Sequence, residues 1–396
     1  MYNGVVWIVN PFDNLPMEGN RPQRYWLMSR AFAAAGWRVV YWTGDFSHAS
    51  KNRRVFVREN TDPRIELRMV PVLPYRKNVC LRRVASHRRL ARDWTRLAEA
   101  CADTPDVVVA SMPPLGLCRA AMEYSRRHNA FFIADIMDAW PETFERIVPK
   151  WSLFALRAAA RRIYRGADAV SAVASRYVEL AKSYGATAPT MCCYHGIEIS
   201  DVSSQGMVQR ETPTLRLVYI GSFGASYDLE TAIKAVKDMP DVAFDLAGSG
   251  PKERALRELA ADCARIRFHG YLGDAELKSL LADSDVGLVP MFPDSCVGIP
   301  YKLADYAVAG LLVAECLGGE TSDIVGRFNA GEHYSAGDAD SLRTALERLR
   351  ARGPNEKSRA FAAEFDARTI MPRYVEWASG LWYNSRQWKS SNSKIR

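Results

Sequence analysis

No stretch of this 396-residue chain approaches the roughly 18–20 consecutive apolar residues that a bilayer-spanning helix needs. The N-terminal MYNGVVWIVNPF has neither a basic lead-in nor a cleavable apolar core, so no signal peptide is expected. Cysteine is sparse and irregular: eight residues, no C-x-x-C pair, and Cys192 and Cys193 side by side. That pattern excludes a disulfide frame and a zinc site and points to reduced, mostly buried thiols in the cytosol. Six scattered histidines with no H-E-x-x-H speak against a catalytic metal. Neither a G-x-G-x-x-G dinucleotide fingerprint nor a Walker loop occurs, which argues against hydride transfer and ATP hydrolysis.

What is present is an ordinary soluble composition, 48% hydrophobic and 25% charged, in a chain long enough for two domains. The net charge of +8 favours a negatively charged partner. With no nucleic-acid recognition motif beside it, that partner is not expected to be nucleic acid. The charge is unevenly spread: PYRKNVCLRRVASHRRLARDWTR (74–96) holds one acid, Asp93.

Short β-rich apolar runs alternate with segments of helical period. VVWIV (5–9) precedes a helix predicted from Pro22 to Ala35 and stopped by Gly36. RVVYWT (38–43), DVVVAS (106–111), AFFIAD (130–135) and ADAVSAV (167–173) continue the cycle, with a helix around Leu115–Arg127. After a linker-like HGIEISDVSSQGMVQRETPT (195–214) a second series begins: LRLVYIG (215–221), VAFDLAG (242–248), IRFHG (266–270) and DVGLVP (285–290), separated by predicted helices. This is β-α-β grammar, giving two doubly wound α/β domains whose ligands bind beyond the carboxyl ends of parallel strands. Two such domains make a central cleft the natural binding place. The predicted division is residues 1–195, residues 196–370, and a C-terminal segment, 371–396, with a helix packing back toward the first domain and a disordered basic tail from Ser385.

Glycine-rich turns follow three strands of the second half: IGSFGAS, AGSGP and HGYLGD. Glycine there lets backbone N–H groups approach a ligand, and the following helix starts favour phosphate. DSCVGIPYKLADYAVAG (294–310) reads as strand exit, turn, helix and stop, with Lys302 and Asp305 in the first helical turns. Either they solvate an exposed helix tip, or Lys302 faces a phosphate and Asp305 a sugar hydroxyl. Upstream, Gly19 precedes Asn20, Arg21 and a helix start, so its N–H is expected to face a ligand, with Arg21 or Arg24 adding charge. Asp135 and Asp138 in ADIMDAWPE stand where doubly wound folds place functional groups, and Glu142 is a weaker candidate.

The order of YIGSFGASYDLETAIKAV, FDLAGSGP, IRFHGYLGDAELKSLLADSDVGLVP and IPYKLADYAVAGLLVA resembles the C-terminal half of family 4 retaining glycosyltransferases. These have the GT-B fold. VVVASMPP with IADIMDAWPETF, and MEGNRPQRYWLMSRAFAAAGWRVVYWT, resemble the N-terminal half of the branch that builds capsule, O-antigen and exopolysaccharide repeats. YHGIEI matches the family's interdomain turn, where His195 stands in place of a more usual Asn. The resemblance implies a hexosyl- or N-acetylhexosaminyl-transferring, retaining, metal-independent enzyme. It needs no cofactor beyond its nucleotide-sugar donor, and its acceptor is polyprenyl-linked or saccharide. It implies a donor site of Gly221, Phe223, Gly224, Tyr271, Leu272, Pro300, Tyr301, Lys302 and Asp305, with Gly19 and Arg21 from the first domain. The bond-breaking step falls to Lys302, and Asp138 orients acceptor or donor sugar. The family's paired glutamates become Val297 and Asp305 here, so the usual carboxylate contact to the donor sugar is missing at Val297, and Asp294 or Ser295 is left to substitute. SFGASYD supplies neither of the cations that many members carry after the first glycine turn.

Leu81, Val84, Leu90, Trp94 and Leu97 form an apolar stripe on a predicted helix over 81–101, with Arg82, Arg89, Arg92 and Arg96 on another face; KWSLFALRAAARRIYR (150–165) repeats the theme. Basic amphipathic helices attach to anionic membranes, which predicts a cytoplasmic protein peripheral on the inner face of the cytoplasmic membrane. Two other functional classes fit the same fold. One is a UDP-sugar epimerase, for which no clear acid and histidine set is visible. The other is a degenerate GT-B protein that binds a nucleotide-sugar without turning it over.

Overall fold

The structure, a computed structural model, describes the chain except residues 1–2, 58, 61, 78–79, 146–147, 199–213, 353–356 and 394–396. It divides into two units, Met1–Gly196 with Ala367–Arg396, and Ile197–Asp366. Most of the expected linker lies outside the described residues.

The first unit is built on a seven-stranded sheet: β1 (Val5–Val9), β2 (Arg38–Gly44), β3 (Ile65–Val70), β4 (Val107–Met112), β5 (Phe131–Ile136), β6 (Ala169–Ala172) and β7 (Thr190–Cys192). Every pairing is parallel, in the order β3-β2-β1-β4-β5-β6-β7. The crossover helices are α1 (Arg24–Ala34), α2 (Leu81–Glu99), α3 (Leu115–Arg127), α4 (Phe154–Gly166) and α5 (Ser175–Ser183). Central strands such as VVVASM are buried along their whole length, which is why they read as continuous apolar runs. Trp7, Trp42, Trp94 and Tyr124 pack ring against ring between the sheet and helices α2 and α3.

The second unit repeats the plan with six strands, β8 (Leu215–Ile220), β9 (Val242–Ala247), β10 (Ile266–Gly270), β11 (Val286–Val289), β12 (Leu312–Glu315) and β13 (Gly331–His333), in the order β10-β9-β8-β11-β12-β13. Its helices are α6 (Leu229–Lys237), α7 (Glu253–Ala260), α8 (Asp274–Ala282), α9 (Tyr301–Val308), α10 (Glu320–Arg327), α11 (Ala339–Arg352) and α12 (Ser358–Ala363). In each sheet the strand order reverses beside the first strand, at β1/β4 and at β8/β11, and such switch points open a crevice at the carboxyl ends.

The last helix, α13 (Ala367–Ser393), belongs to the first unit. Its Tyr374, Val375, Ala378 and Trp382 are buried in that unit's core with Phe32 and Trp37 of the α1 region. The tail expected to be disordered from Ser385 is instead, as far as Ser393, the end of this helix. Trp382 and Trp37 meet edge to face at 5.0 Å, and Arg386 reaches Asp106. That packing carries the helical register past the point where the sequence turns polar. All eight cysteines are free, four buried and four half-buried.

Candidate functional site

In the second unit the crevice is organised by α9. Tyr306 pins this helix to the sheet: its hydroxyl accepts the Ile220 N–H (3.2 Å) and lies 3.1 Å from the Leu288 carbonyl. Gly287 is small because the Tyr306 ring passes over it, and a Cβ there would stand 2.3 Å from that ring. One turn earlier, after the Pro300 N-cap and the half-buried Tyr301, comes Lys302.

Lys302 is only 7% exposed, and its Nζ has no hydrogen-bond partner. The Nζ lies over two tyrosine rings, 3.9 Å from the Tyr219 centroid and 4.2 Å from that of Tyr227. Burial drives its pKa well below the usual lysine range, with Asp305 pulling the other way. Asp305, one turn on, is also buried. Gly221, at φ +131°, lies directly against this lysine, for an added Cβ would stand 3.2 Å from Nζ. The family resemblance groups Gly221, Pro300, Lys302 and Asp305 in one donor site, and the structure brings Gly221 and Lys302 together. Missed were Tyr219 and Tyr227, which lie about 80 residues upstream of Lys302 and carry no local signal.

The glycine turns require a correction. The Gly221 N–H is donated to Ala247 O (2.9 Å) and the Phe223 N–H to Ser249 O (2.9 Å). These groups are therefore not free for a ligand. Glycine is needed at 248 and 250 because the two turns pack backbone on backbone: a Cβ would lie 1.8 Å from Gly221 O and 2.6 Å from Phe223 N, respectively. Phe223 itself is a fully buried core side chain, packed edge to face on Phe268. Gly224 is half-buried in the same turn. Tyr271 and Leu272 occupy the turn between β10 and α8, with the Tyr271 ring 81% exposed. Val297 is half-buried in the turn before α9, and beside it the Ser295 Oγ is buried without a partner, while Asp294 is exposed.

In the first unit two expectations fail for one reason each. Gly19 sits at φ +80° and gives its N–H to Pro16 O (3.0 Å), closing a turn of 3-10 helix, so that donor is spent. Arg24 is fully buried and forks onto Asp135, with Nε to Oδ2 and Nη2 to Oδ1 both at 2.9 Å, and Nη1 to the carbonyls of Cys193 (2.8 Å) and Tyr194 (3.0 Å). Tyr25 and Ser171 also donate to Asp135. Burial opposes ionisation of Asp135, yet Arg24 and these donors hold its carboxyl below the usual range. Asp135 is thus the buried bolt between α1 and the sheet. Arg21 is half-buried in the extended segment before α1. His195, buried, is pushed down to about 3 by burial and Arg24, hence neutral. Glu142 is engaged by Tyr184 and Arg157.

Asp138, by contrast, lies half-buried just past β5, its Oδ1 accepting the Ala139 N–H (3.0 Å). Burial pushes its carboxyl up to about 6, against the Ala139 N–H, Trp140 and Arg83. A carboxyl so tuned can change charge near neutrality. Among the described residues no three His, Cys, Asp or Glu side chains gather as a metal-ligand set.

Two doubly wound parallel-sheet units, the second with a buried lysine at a strand-end helix tip, define the class of α/β protein. Residues 22–193 match the family described as glycosyl transferase 4-like domain, and residues 214–352 that described as glycosyl transferases group 1. The chain belongs to the GT-B glycosyltransferases, family 4-like. Its fold is similar to that of sucrose-phosphate synthase from Thermosynechococcus elongatus, with a TM-score of 0.76, 14% identity, and 96% of this chain and 99% of that one covered. Anabaena Alr3699/HepE in complex with UDP and glucose aligns with a TM-score of 0.66, 14% identity and 96% and 100% coverage. WaaG, a glycosyltransferase involved in lipopolysaccharide biosynthesis, aligns at 0.65, 16% identity and 95% and 100% coverage. No curated protein sequence matches the chain significantly.

Proposed function

We propose that this glycosyltransferase is retaining and metal-independent, and moves a hexosyl or N-acetylhexosaminyl group from a nucleotide-sugar to a lipid-linked or saccharide acceptor in surface-polysaccharide synthesis. The observation that carries the donor half is Lys302, a buried amine whose Nζ has no hydrogen-bond partner at the start of α9. Burial disfavours charging that amine, and a diphosphate arriving against it offsets the cost of the charge. As the glycosidic bond breaks, negative charge grows on the leaving diphosphate, and an ammonium fixed at a helix N-terminus stabilises that charge. Asp305 would accept from ribose hydroxyls, while the backbone around Tyr271 and Leu272 would border the base. In this reading the leaving phosphate takes the acceptor proton, and Asp138 orients the acceptor hydroxyl. UDP or UDP-glucose is present in the Anabaena relative's structures, which supports a nucleotide-sugar here.

A peripheral location on the inner face of the cytoplasmic membrane is supported by two helix starts at the carboxyl edge of the first sheet. Leu81 and Val84 at the head of α2 and Trp151 and Phe154 at the head of α4 are exposed among arginines and lysines. Among the described residues no helix is long and apolar enough to cross a membrane. Hydrolysis assays across a panel of nucleotide-sugars test the whole reading. Slow release of nucleoside diphosphate from at least one donor is expected, whereas donor binding without any turnover, in the presence of acceptor extracts too, favours a binding protein.

A further inference from the structure

The walls around the Lys302 amine are fixed in place. Tyr219 stands on β8, and its hydroxyl donates to the Ser222 carbonyl (2.6 Å), so the polar end of that ring is spent. Tyr227 lies in the turn beyond, which is strapped to the chain leaving β11. There the Phe292 N–H is donated to Ser226 O (3.2 Å) and the Asp228 N–H to Pro290 O (2.7 Å), around an antiparallel bridge between Tyr227 and Met291. Both rings thus hold a carbon surface against the amine. The third wall is Gly221, whose own backbone is at the protein surface. Nζ lies directly behind it, 3.2 Å from where a Cβ would stand. The amine is buried, yet one bare residue separates it from solvent.

An ammonium has three N–H donors, and here Nζ meets no hydrogen-bond partner. Taking such a cation out of water costs more than two aromatic faces return. Asp305, on the same helix, is the charge that acts on Lys302, and burial outweighs its pull. The other ionisable groups around the amine are Tyr219 from β8, Tyr227 from the turn and Tyr306 from α9 itself. Burial raises all three and keeps them uncharged. A diphosphate brings both things that the charged form lacks in this setting, oxygen acceptors and negative charge.

We infer that Lys302 stands as the free amine before the donor binds, and takes up one proton from solvent as the diphosphate of a nucleotide-sugar arrives against it. The proton joins the Nζ lone pair, a phosphate oxygen matches the new charge, and the proton returns to solvent when the nucleoside diphosphate leaves. The site therefore carries no standing cation and forms one on demand. The bound state holds one proton more than the free state, so affinity for the nucleotide falls as pH rises. The inference rests on the donor reading of Lys302 and adds the charge state in which the donor finds it.

The test uses the full chain with whichever of UDP, GDP and ADP binds tightest. Lysine ε-carbons are isotopically labelled, and the Lys302 magnetic-resonance signal is identified by its loss in Lys302→Met. At pH 7.5 that signal is expected at the free-amine position and should move to the ammonium position when the nucleotide saturates the chain. Calorimetry in buffers of different ionisation enthalpy should give about one proton taken up per nucleotide bound, with affinity falling about ten-fold per pH unit between pH 7.5 and 8.5. The terminal phosphate of the nucleotide ionises near pH ~6 and is already charged over that range. Lys302→Arg, whose guanidinium stays charged, should bind with no uptake and a flat pH dependence. Uptake that persists in Lys302→Arg, or a Lys302 signal already at the ammonium position before nucleotide is added, overturns the inference and leaves the donor reading standing. If no nucleotide binds, or one binds without moving the Lys302 signal, the donor reading falls and takes the inference with it. Should Lys302→Arg fail to fold, the wild-type signal decides by itself.

Discussion

Burial disfavours the charged forms of Lys302 and Asp138 alike, and substitution separates a working residue from a packing one. Replacing Lys302 by Met keeps the stem against Tyr219 and Tyr227 and removes the unpaired amine. Turnover of the nucleotide-sugar should fall by about 10²–10³-fold, the loss typical of one charge-stabilising contact, while the melting temperature holds or rises. A fall in melting temperature with near-normal turnover would make Lys302 a packing residue. For Asp138 the sign follows from its direction. Its folded carboxyl titrates at about 6 against 3.8 unfolded, so the native state binds the proton more tightly. Stability is fullest below the unfolded value and declines as pH rises toward and through about 6. Asp138→Asn should therefore be more stable than wild type at pH 7.5, by about 1–2 kcal/mol at ~1.4 kcal/mol per pH unit after solvent screening, and no more stable near pH 4. If the carboxylate orients the acceptor, wild-type kcat/KM should drop below pH 6 and the variant should lose that limb. Chemical denaturation at both pH values and a pH–rate profile check the two halves separately.

At the level of elements, strand ends were legible and their partners were not. Central strands announce themselves because burial on both faces demands runs such as VVVASM. The edge strand β3 escaped the reading, since IELRMV is buried only at its two ends and carries Glu66 and Arg68 between them. The three-residue β7 and β13 are too short to show a period. The apolar stripe read along α2 divides in two: Leu90 and Trp94 are core, while Leu81 is 88% exposed and Val84 half exposed. Arg82, Arg89, Arg92 and Arg96 are all at the surface, as a solvated or lipid-facing basic side requires. At the head of α4, Trp151 and Phe154 are 81% and 78% exposed, a poor place for two aromatics unless something covers them. The double substitution Trp151→Ser, Phe154→Ser should cut flotation with anionic vesicles by about ten-fold or more. It should leave the melting temperature and donor hydrolysis in solution unchanged, since neither ring is buried. Raising salt should weaken wild-type binding through the arginines. Flotation indifferent to both changes would remove the membrane from the functional reading.

For the molecule as a whole, the sequence pattern announced two α/β units and the order of their strand-end loops, because each loop follows a legible strand. It said nothing of which loops would meet. Gly248 and Gly250 read as ligand-facing turns, yet their small size serves the packing of one turn on another; Arg24 read as a phosphate contact, yet it is locked to Asp135. Such pairings join residues 27 to 111 positions apart and leave no local trace in composition or period. The donor residues proposed around Lys302, by contrast, all lie inside residues 197–366, and this separates the units experimentally. A ligand held at 100 times its dissociation constant stabilises the state that binds it by about 2.7 kcal/mol. With saturating UDP, hydrogen exchange in the intact chain should slow in the Gly221–Tyr227 turn and across Pro300–Asp305, where Lys302 and its tyrosine cradle lie. In the first unit, β1–β5 and α13 should keep their unliganded rates. Protection centred instead on the strand-end loops of the first unit would mean that the nucleotide occupies that unit, and the roles assigned to the two units would have to be exchanged.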